Sequence, residues 1–263
     1  LQVSYPRSGT HWMQQIVLLI LSKGHSLETY IEFMERAPFL EMQELKTTES
    51  PRLLRTHFPV SKLRLNEKAK YIYVARNPWD CCVSLYHLLR ERPANDFANG
   101  IFDDFLGAFL DAKVGFGDYF DHVISGYSHR GDPNVFFVTY EEIQRNKEVV
   151  LRLATFLGED HRKVLEQNEN ILEQVLEKST VGFMKNFMKT SNKIFLDVVA
   201  KIRPIFGPPR PSAAMSFARQ PTSTFSVKVR LEIGSSTSLP ETSRKCRLLS
   251  SSERGARISC SFG

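Results

Sequence analysis

The stretch AKYIYVARNPWDCCVSLYHLLRER, which begins at Ala69, constrains the fold more than any other part of this chain. Ala69–Pro78 is a continuous β-rich run, the pattern of a strand covered on both faces. It breaks at Asn77-Pro78 and a helical pattern starts at once, with Asn77 as N-cap and Pro78 at the first helical position. A buried strand that feeds a helix directly is the building unit of a parallel sheet. The same order occurs twice more. Val3–Tyr5 leads through SYPRSGTHW into a helix over Trp12–Lys23, and NVFFVTYEE (Asn134–Glu142) leads into an amphipathic helix over Glu141–Leu157 that stops at Gly158. PRLLRTHFP (Pro51–Pro59) adds a short strand core between two prolines. The predicted fold is α/β, a P-loop-like doubly wound parallel sheet flanked by helices.

Residues 1–193 are read as this domain and residues 194–263 as a divergent tail. Residues 201–263 hold 13 Ser and six Pro but no Trp or Tyr, a composition expected of disordered chain. The formal net charge of +6 resides there: eight Arg and three Lys against three Glu make +8, which leaves −2 for the first 200 residues. A slightly acidic domain with a diffusely basic tail argues against a nucleic-acid partner. The longest apolar run, Ile16–Leu21, is too short to span a bilayer, so no membrane partner is expected. Cys81, Cys82, Cys246 and Cys260 lack the spacing of metal ligands and are expected as reduced thiols, with no metal bound. The chain opens on Leu1 inside a strand, and further sequence upstream is expected.

Three places carry chemistry. In SYPRSGTHW, small Ser8 and Gly9 allow peptide N–H groups to turn inward before a helix N-terminus, while Arg7 adds a fixed charge suited to oxyanions. Arg76 stands at the carboxyl end of a parallel strand, where open α/β sheets bind ligands, and Ser84 lies on the helix that follows. Together they suit a second phosphate. His57, at the end of a short strand, is placed to take a proton from an alcohol near neutral pH. A kinase reading is poor, because no G-x-x-x-x-G-K-[ST] is present and no magnesium-binding carboxylate is obvious.

In combination these segments resemble the cytosolic sulfotransferases, which use 3′-phosphoadenosine 5′-phosphosulfate (PAPS) as sulfuryl donor. That family's Y-P-K-S-G-T-x-W loop stands here as YPRSGTHW, its K-T-H triplet as Arg55-Thr56-His57, and its V-A-R-N-x-x-D-x-x-V-S-x-Y-H segment as VARNPWDCCVSLYH. Its Y-E-D/E strand end stands as Tyr140-Glu141-Glu142 and its S/T-x-x-x-M-K-x-N segment as STVGFMKN, the agreement running from about residue 3 to residue 190. The resemblance implies that Arg7, Ser8, Gly9, Thr10 and His11 hold the 5′-phosphate and sulfonate, that Trp12 stacks on the adenine and that Tyr140 touches it. Arg76 and Ser84 would bind the 3′-phosphate, and a hydroxyl of Ser179 or Thr180 would also reach the nucleotide. His57 would be the general base, with Arg7 and Arg55 beside the transferring group, in a metal-free reaction. The acceptor would be a hydroxyl or amine on a small molecule of the phenol, steroid or amine class, and the protein cytoplasmic. Phe33, Phe39, Phe58 and Tyr86 would line the acceptor pocket or fill the core.

The chain departs from the family at two places. Arg7 replaces the usual lysine, and nothing after residue 190 matches the late R-K-G-x-x-G-D-W-K segment that clamps the 3′-phosphate. They support a second expectation beside the first: an inactive donor-binding pseudoenzyme or a truncated gene product.

Overall fold

The structure is a computed structural model that describes residues 1–41, 51–91, 97, 99–144, 147–187, 245–249 and 257–261. The chain divides into two compact units, Leu1–Ala218 and Arg219–Gly263. Four parallel strands organise the first: β1 (Gln2–Ser4), β2 (Arg55–Thr56), β3 (Tyr71–Ala75) and β4 (Val135–Thr139), in the order β2-β1-β3-β4. Both neighbours of β1 come later in the chain, which is the strand order of a doubly wound sheet.

Alternation along the strands divides the core into two layers. Ile72, Val74, Phe136 and Val138 face α1 (Thr10–Leu21), α7 (Lys147–Leu157) and α9 (Glu169–Lys178). Tyr73 and Ala75 face the opposite way, with Val3 and Val60. A separate cluster packs Tyr5, Cys81, Cys82, Leu85 and Phe105 around α3 (Pro78–Glu91) and α4 (Phe102–Leu110). The segment leaving β1 thus enters α1 on one face, while that leaving β3 enters α3 on the other. Between the two departures lies the crevice where ligands of open α/β sheets bind.

Asn77 caps α3 as expected, its side-chain oxygen accepting from the Trp79 and Asp80 N–H groups at 3.0 and 3.4 Å. The first helix begins at Thr10, two residues earlier than Trp12, because left-handed Gly9 closes the loop and its carbonyl accepts from Met13 N–H. It ends at Leu21, where Gly24 N–H reaches back to Leu19 O and Lys23 N–H to Ile20 O, a Schellman closure. The fourth strand stops at Thr139 rather than continuing to Glu142. Thr139 and Glu142 accept from each other's backbone N–H, a capping box that turns the chain into the short helix α6 (Tyr140–Ile143). The single helix expected over Glu141–Leu157 is therefore two, α6 and α7.

The boundary expected at residue 193 lies outside the described residues. Of the expected disordered tail, the described parts are two strands, Lys245–Leu249 and Arg257–Ser261, paired antiparallel. Cys81 and Cys82 are free and buried. Among the described residues no helix is long and apolar enough to cross a membrane.

Candidate functional site

The loop between β1 and α1 is tightly coiled. Arg7 adopts φ 71° and Gly9 φ 94°, both left-handed. For a non-glycine residue that conformation costs roughly 1–3 kcal/mol and collects at functional positions. Arg7 is held in it by partners on both neighbouring segments: its Nε donates to Ser84 Oγ at 2.9 Å, and its carbonyl accepts from an Arg76 terminal nitrogen at 2.8 Å. The three polar residues singled out around this crevice, Arg7, Arg76 and Ser84, are thus one hydrogen-bonded group. No side chain caps α1, and no acidic residue occupies its first turn, so the positive end of the helix dipole is left unneutralised here.

Ser8 and Thr10 turn their side-chain oxygens inward, towards Cys81 Sγ at 3.8 Å and Ser4 Oγ at 2.8 Å. Beneath the loop the Cys81 thiol donates to Pro6 O at 3.2 Å, and burial pushes its pKa up to about 12. It is a packed thiol rather than a nucleophile.

Arg76 lies 4.2 Å over the Tyr140 ring, and the Tyr119 hydroxyl donates to its carbonyl. Its Nε is buried and has no hydrogen-bond partner among the described residues. An unmet donor on a charged group is costly, and a bound oxyanion is what would satisfy it. Trp12 meets Tyr140 edge-on at 5.1 Å and donates its indole N–H to Ser179 O at 2.5 Å. Trp12 and Tyr140, expected on the adenine side, therefore cluster, and Ser179, expected to reach the nucleotide through its hydroxyl, joins them by its carbonyl while the hydroxyl donates to Leu176 O at 3.1 Å. Thr180 is exposed and spends its hydroxyl on helix-capping bonds to Glu177 O and Phe183 N–H.

His11 and Arg55 sit elsewhere. The His11 ring stacks with those of Tyr30 and Phe33 and meets the Tyr30 hydroxyl at 3.0 Å. Arg55 is wholly buried, its guanidinium 4.2 Å over Phe39, with Nε donating to Ala37 O at 2.5 Å. Desolvation lowers its pKa to about 10, and its charge opposes protonation of His57.

His57 follows β2 directly. Its ring nitrogen Nδ1 lies 2.7 Å from Ser4 O. A carbonyl only accepts, so Nδ1 carries the hydrogen and Nε2 keeps its lone pair. Burial holds the imidazole pKa below its usual 6.5, so the ring is neutral at physiological pH. Phe39 at 4.8 Å and Phe116 at 5.3 Å flank it, with Phe58 against Phe116. Of the four aromatics considered for the acceptor side, Phe39 and Phe58 are near His57, whereas Phe33 and Tyr86 are buried in separate clusters.

Two partners of His57 had no signal in the sequence. Glu41 accepts from the His57 backbone N–H and, at 2.7 Å, from the Thr56 hydroxyl. His122, in the middle of α5 (Tyr119–Tyr127), lies with Nε2 3.0 Å from His57 O. No spacing rule links positions so far apart.

His122 is 1% exposed, and burial lowers its pKa from 6.5 to about 4. Between those values the unfolded chain binds a proton at this position that the folded chain refuses, so stability falls as pH drops through the window. A shift of this size corresponds to about 3 kcal/mol, and His57 contributes in the same direction. Urea midpoints are expected to be clearly lower at about pH 5 than at about pH 7. Equal midpoints would contradict neutral, buried imidazoles.

A family model described as a sulfotransferase domain matches residues 1–201. Amine sulfotransferase of Oryctolagus cuniculus is 33% identical over 192 residues, covering 70% of this chain and 62% of that protein. Sulfotransferase 2B1 of Homo sapiens is 38% identical over 193 residues, covering 70% of this chain and 51% of that protein. The crystal structure of mouse sulfotransferase SULT7A1 complexed with PAP aligns with a TM-score of 0.55 at 27% identity, covering 70% of this chain and 64% of that one. Retinol dehydratase, solved with androsterone and inactive cofactor PAP, shares the fold at 20% identity and a TM-score of 0.50. This chain spans about half to two thirds of the length of the curated relatives it matches. A match that takes in every element from β1 to α9 settles the kinship: the chain belongs to the sulfotransferase domain family.

Proposed function

We propose that this chain binds PAPS between the segments leaving β1 and β3 and promotes transfer of its sulfuryl group to a hydroxyl or amine of a small acceptor. The observation that carries the reading is the His57 ring, neutral by burial and fixed by Ser4 O with Nε2 as its free lone pair. The orphaned Nε of Arg76, beside Arg7 and the uncapped α1 N-terminus, supports an anionic donor there. Arg7 and the loop peptides would hold the 5′-phosphosulfate, Arg76 and Ser84 the 3′-phosphate, and Trp12 and Tyr140 the adenine side. The donor, when bound, supplies the sulfuryl group.

His57 then acts on the acceptor. Nε2 takes the acceptor's proton as its oxygen or nitrogen becomes nucleophilic, and the Nδ1–H bond to Ser4 O keeps the ring in the tautomer that can do so. Phe39 and Phe116 limit water around the ring and favour an acceptor with an apolar body. With a donor held there, Arg7 would supply positive charge to offset the negative charge developing on the phosphate side. By the same reading Arg55 acts at a distance: burial is what lowers the His57 pKa, and the buried Arg55 charge adds a smaller effect in the same direction, opposed by the Glu41 carboxylate.

Calorimetric titration with 3′-phosphoadenosine 5′-phosphate (PAP), paired with a radiolabelled sulfate-transfer assay, tests the proposal. Binding with turnover supports it. Binding without turnover favours the pseudoenzyme reading, which rests on the absence of an R-K-G-x-x-G-D-W-K segment after residue 190. Arg76→Ala is expected to weaken PAP binding about 10- to 100-fold, the equivalent of one charge-assisted hydrogen bond. Unchanged affinity would remove Arg76 from the site.

A further inference from the structure

His57 stands where the sheet runs out. The β1–β2 ladder ends with Val3 opposite Thr56. Beyond it, Phe58 N–H turns back to Thr56 Oγ1 at 3.1 Å, and Ser4 O is taken by the His57 ring. The His57 peptide therefore has no strand to hold it, and both its polar groups find side chains from elsewhere. Its N–H goes to Glu41 and its carbonyl to His122.

The His122 bond has a fixed direction. Because a carbonyl only accepts, Nε2 of His122 carries the hydrogen and donates. The other ring nitrogen, Nδ1, therefore accepts, and the Tyr73 hydroxyl, 2.6 Å from Nδ1 and 2.8 Å from His122 O, shares its one hydrogen between them. Tyr73 belongs to the central strand β3, so the chain of contacts runs from the rigid sheet through His122 to the His57 peptide. A second tie lies alongside, with Val60 N–H donating to Ser125 Oγ at 3.2 Å. The segment after β2 is thus held to α5 at two points.

We propose that His122 is a positioning residue for the transfer reaction: its Nε2–H fixes the His57 carbonyl and so aims the His57 ring at Ser4 O. The inference rests on His57 being the base. A buried imidazole used only as filler would be replaceable by any side chain of its size, whereas a positioning imidazole requires a donor at the Nε2 place.

Glutamine and asparagine separate these roles, since the glutamine amide nitrogen reaches the Nε2 place and that of asparagine reaches the Nδ1 place. In the full chain, ¹⁵N-histidine NMR is expected to show the His57 Nδ1–H tautomer in the wild type and in His122→Gln. In His122→Asn it should shift towards Nε2–H. If the amide variants fail to fold, Tyr73→Phe, which removes only the hydroxyl behind His122, is expected to give a smaller shift in the same direction.

With PAPS as donor and 2-naphthol as acceptor, His122→Asn should lower kcat about ten-fold while KM and PAP affinity hold within about two-fold. His122→Gln should restore most of the loss, and neither change should have further effect in a His57→Ala background. Asparagine and glutamine variants with the same His57 tautomer would overturn the proposal, as would an unchanged tautomer in Tyr73→Phe. A chain that transfers no sulfuryl group would sink the functional reading instead, while the tautomer comparison still decides the role of His122.

Discussion

Replacing His57 by alanine is expected to lower turnover about 10²- to 10⁴-fold, the range removed when a general base is lost. PAP affinity should stay within about two-fold of the wild type, because the residues assigned to the donor are on the other segments. The wild-type rate should also fall on the acid side with an apparent pKa below 6.5, since burial disfavours the protonated ring. That limb should disappear in the alanine variant. Steady-state rates across pH, with calorimetric PAP binding as the control, check both parts. Turnover that survives the substitution would exclude His57 as the base.

The second large effect is expected at Gly9. Its φ of +94° is one that residues with a Cβ rarely adopt. A Cβ there would also lie 2.7 Å from a ring carbon of Tyr140. Arg76 lies over the face of the partly buried Tyr140 ring and Trp12 at its side, so a shift of the ring would disturb both contacts. Gly9→Ala should therefore combine roughly 1–2 kcal/mol of left-handed strain with about 1–3 kcal/mol of overpacking. The expected outcome is a lower urea midpoint together with loss of detectable PAP binding, because the loop and the adenine side move together. An alanine variant that binds PAP like the wild type would mean that the loop tolerates another shape.

The two variants differ in what they break. His57 is a chemical group on a held peptide, and its loss should leave the loop intact. Gly9 is the point at which strand, loop and helix meet, and its loss should disturb the donor side without touching the base.

Much of this was legible in the sequence because it depends on neighbours. The strand runs, the Asn77-Pro78 helix start and the small residues before α1 follow from local periodicity and turn chemistry, which act over a few residues. The capping box at Thr139 is equally local, and its S/T-x-x-E pattern is visible in TYEE, yet a continuous apolar run concealed where the strand stopped. His11 shows what the local motif leaves open. Its place inside the loop motif suggested a ligand contact, but on the first turn of α1 its ring turns to the aromatic cluster of Tyr30 and Phe33.

By itself, then, the sequence determined that this chain builds a parallel α/β sheet with a small-residue turn after β1 of the kind suited to an anion, an arginine after β3 and a histidine after β2. Only the tertiary structure decided what those groups are able to do. It joined Arg7 to Ser84, left Arg76 Nε without a partner among the described residues, and placed Ser4 O against His57 Nδ1 and His122 against the His57 carbonyl. The physical reason is that a strand or a turn satisfies its backbone from nearby residues, whereas a peptide beyond the end of a short edge strand must take its partners from whatever the fold brings alongside.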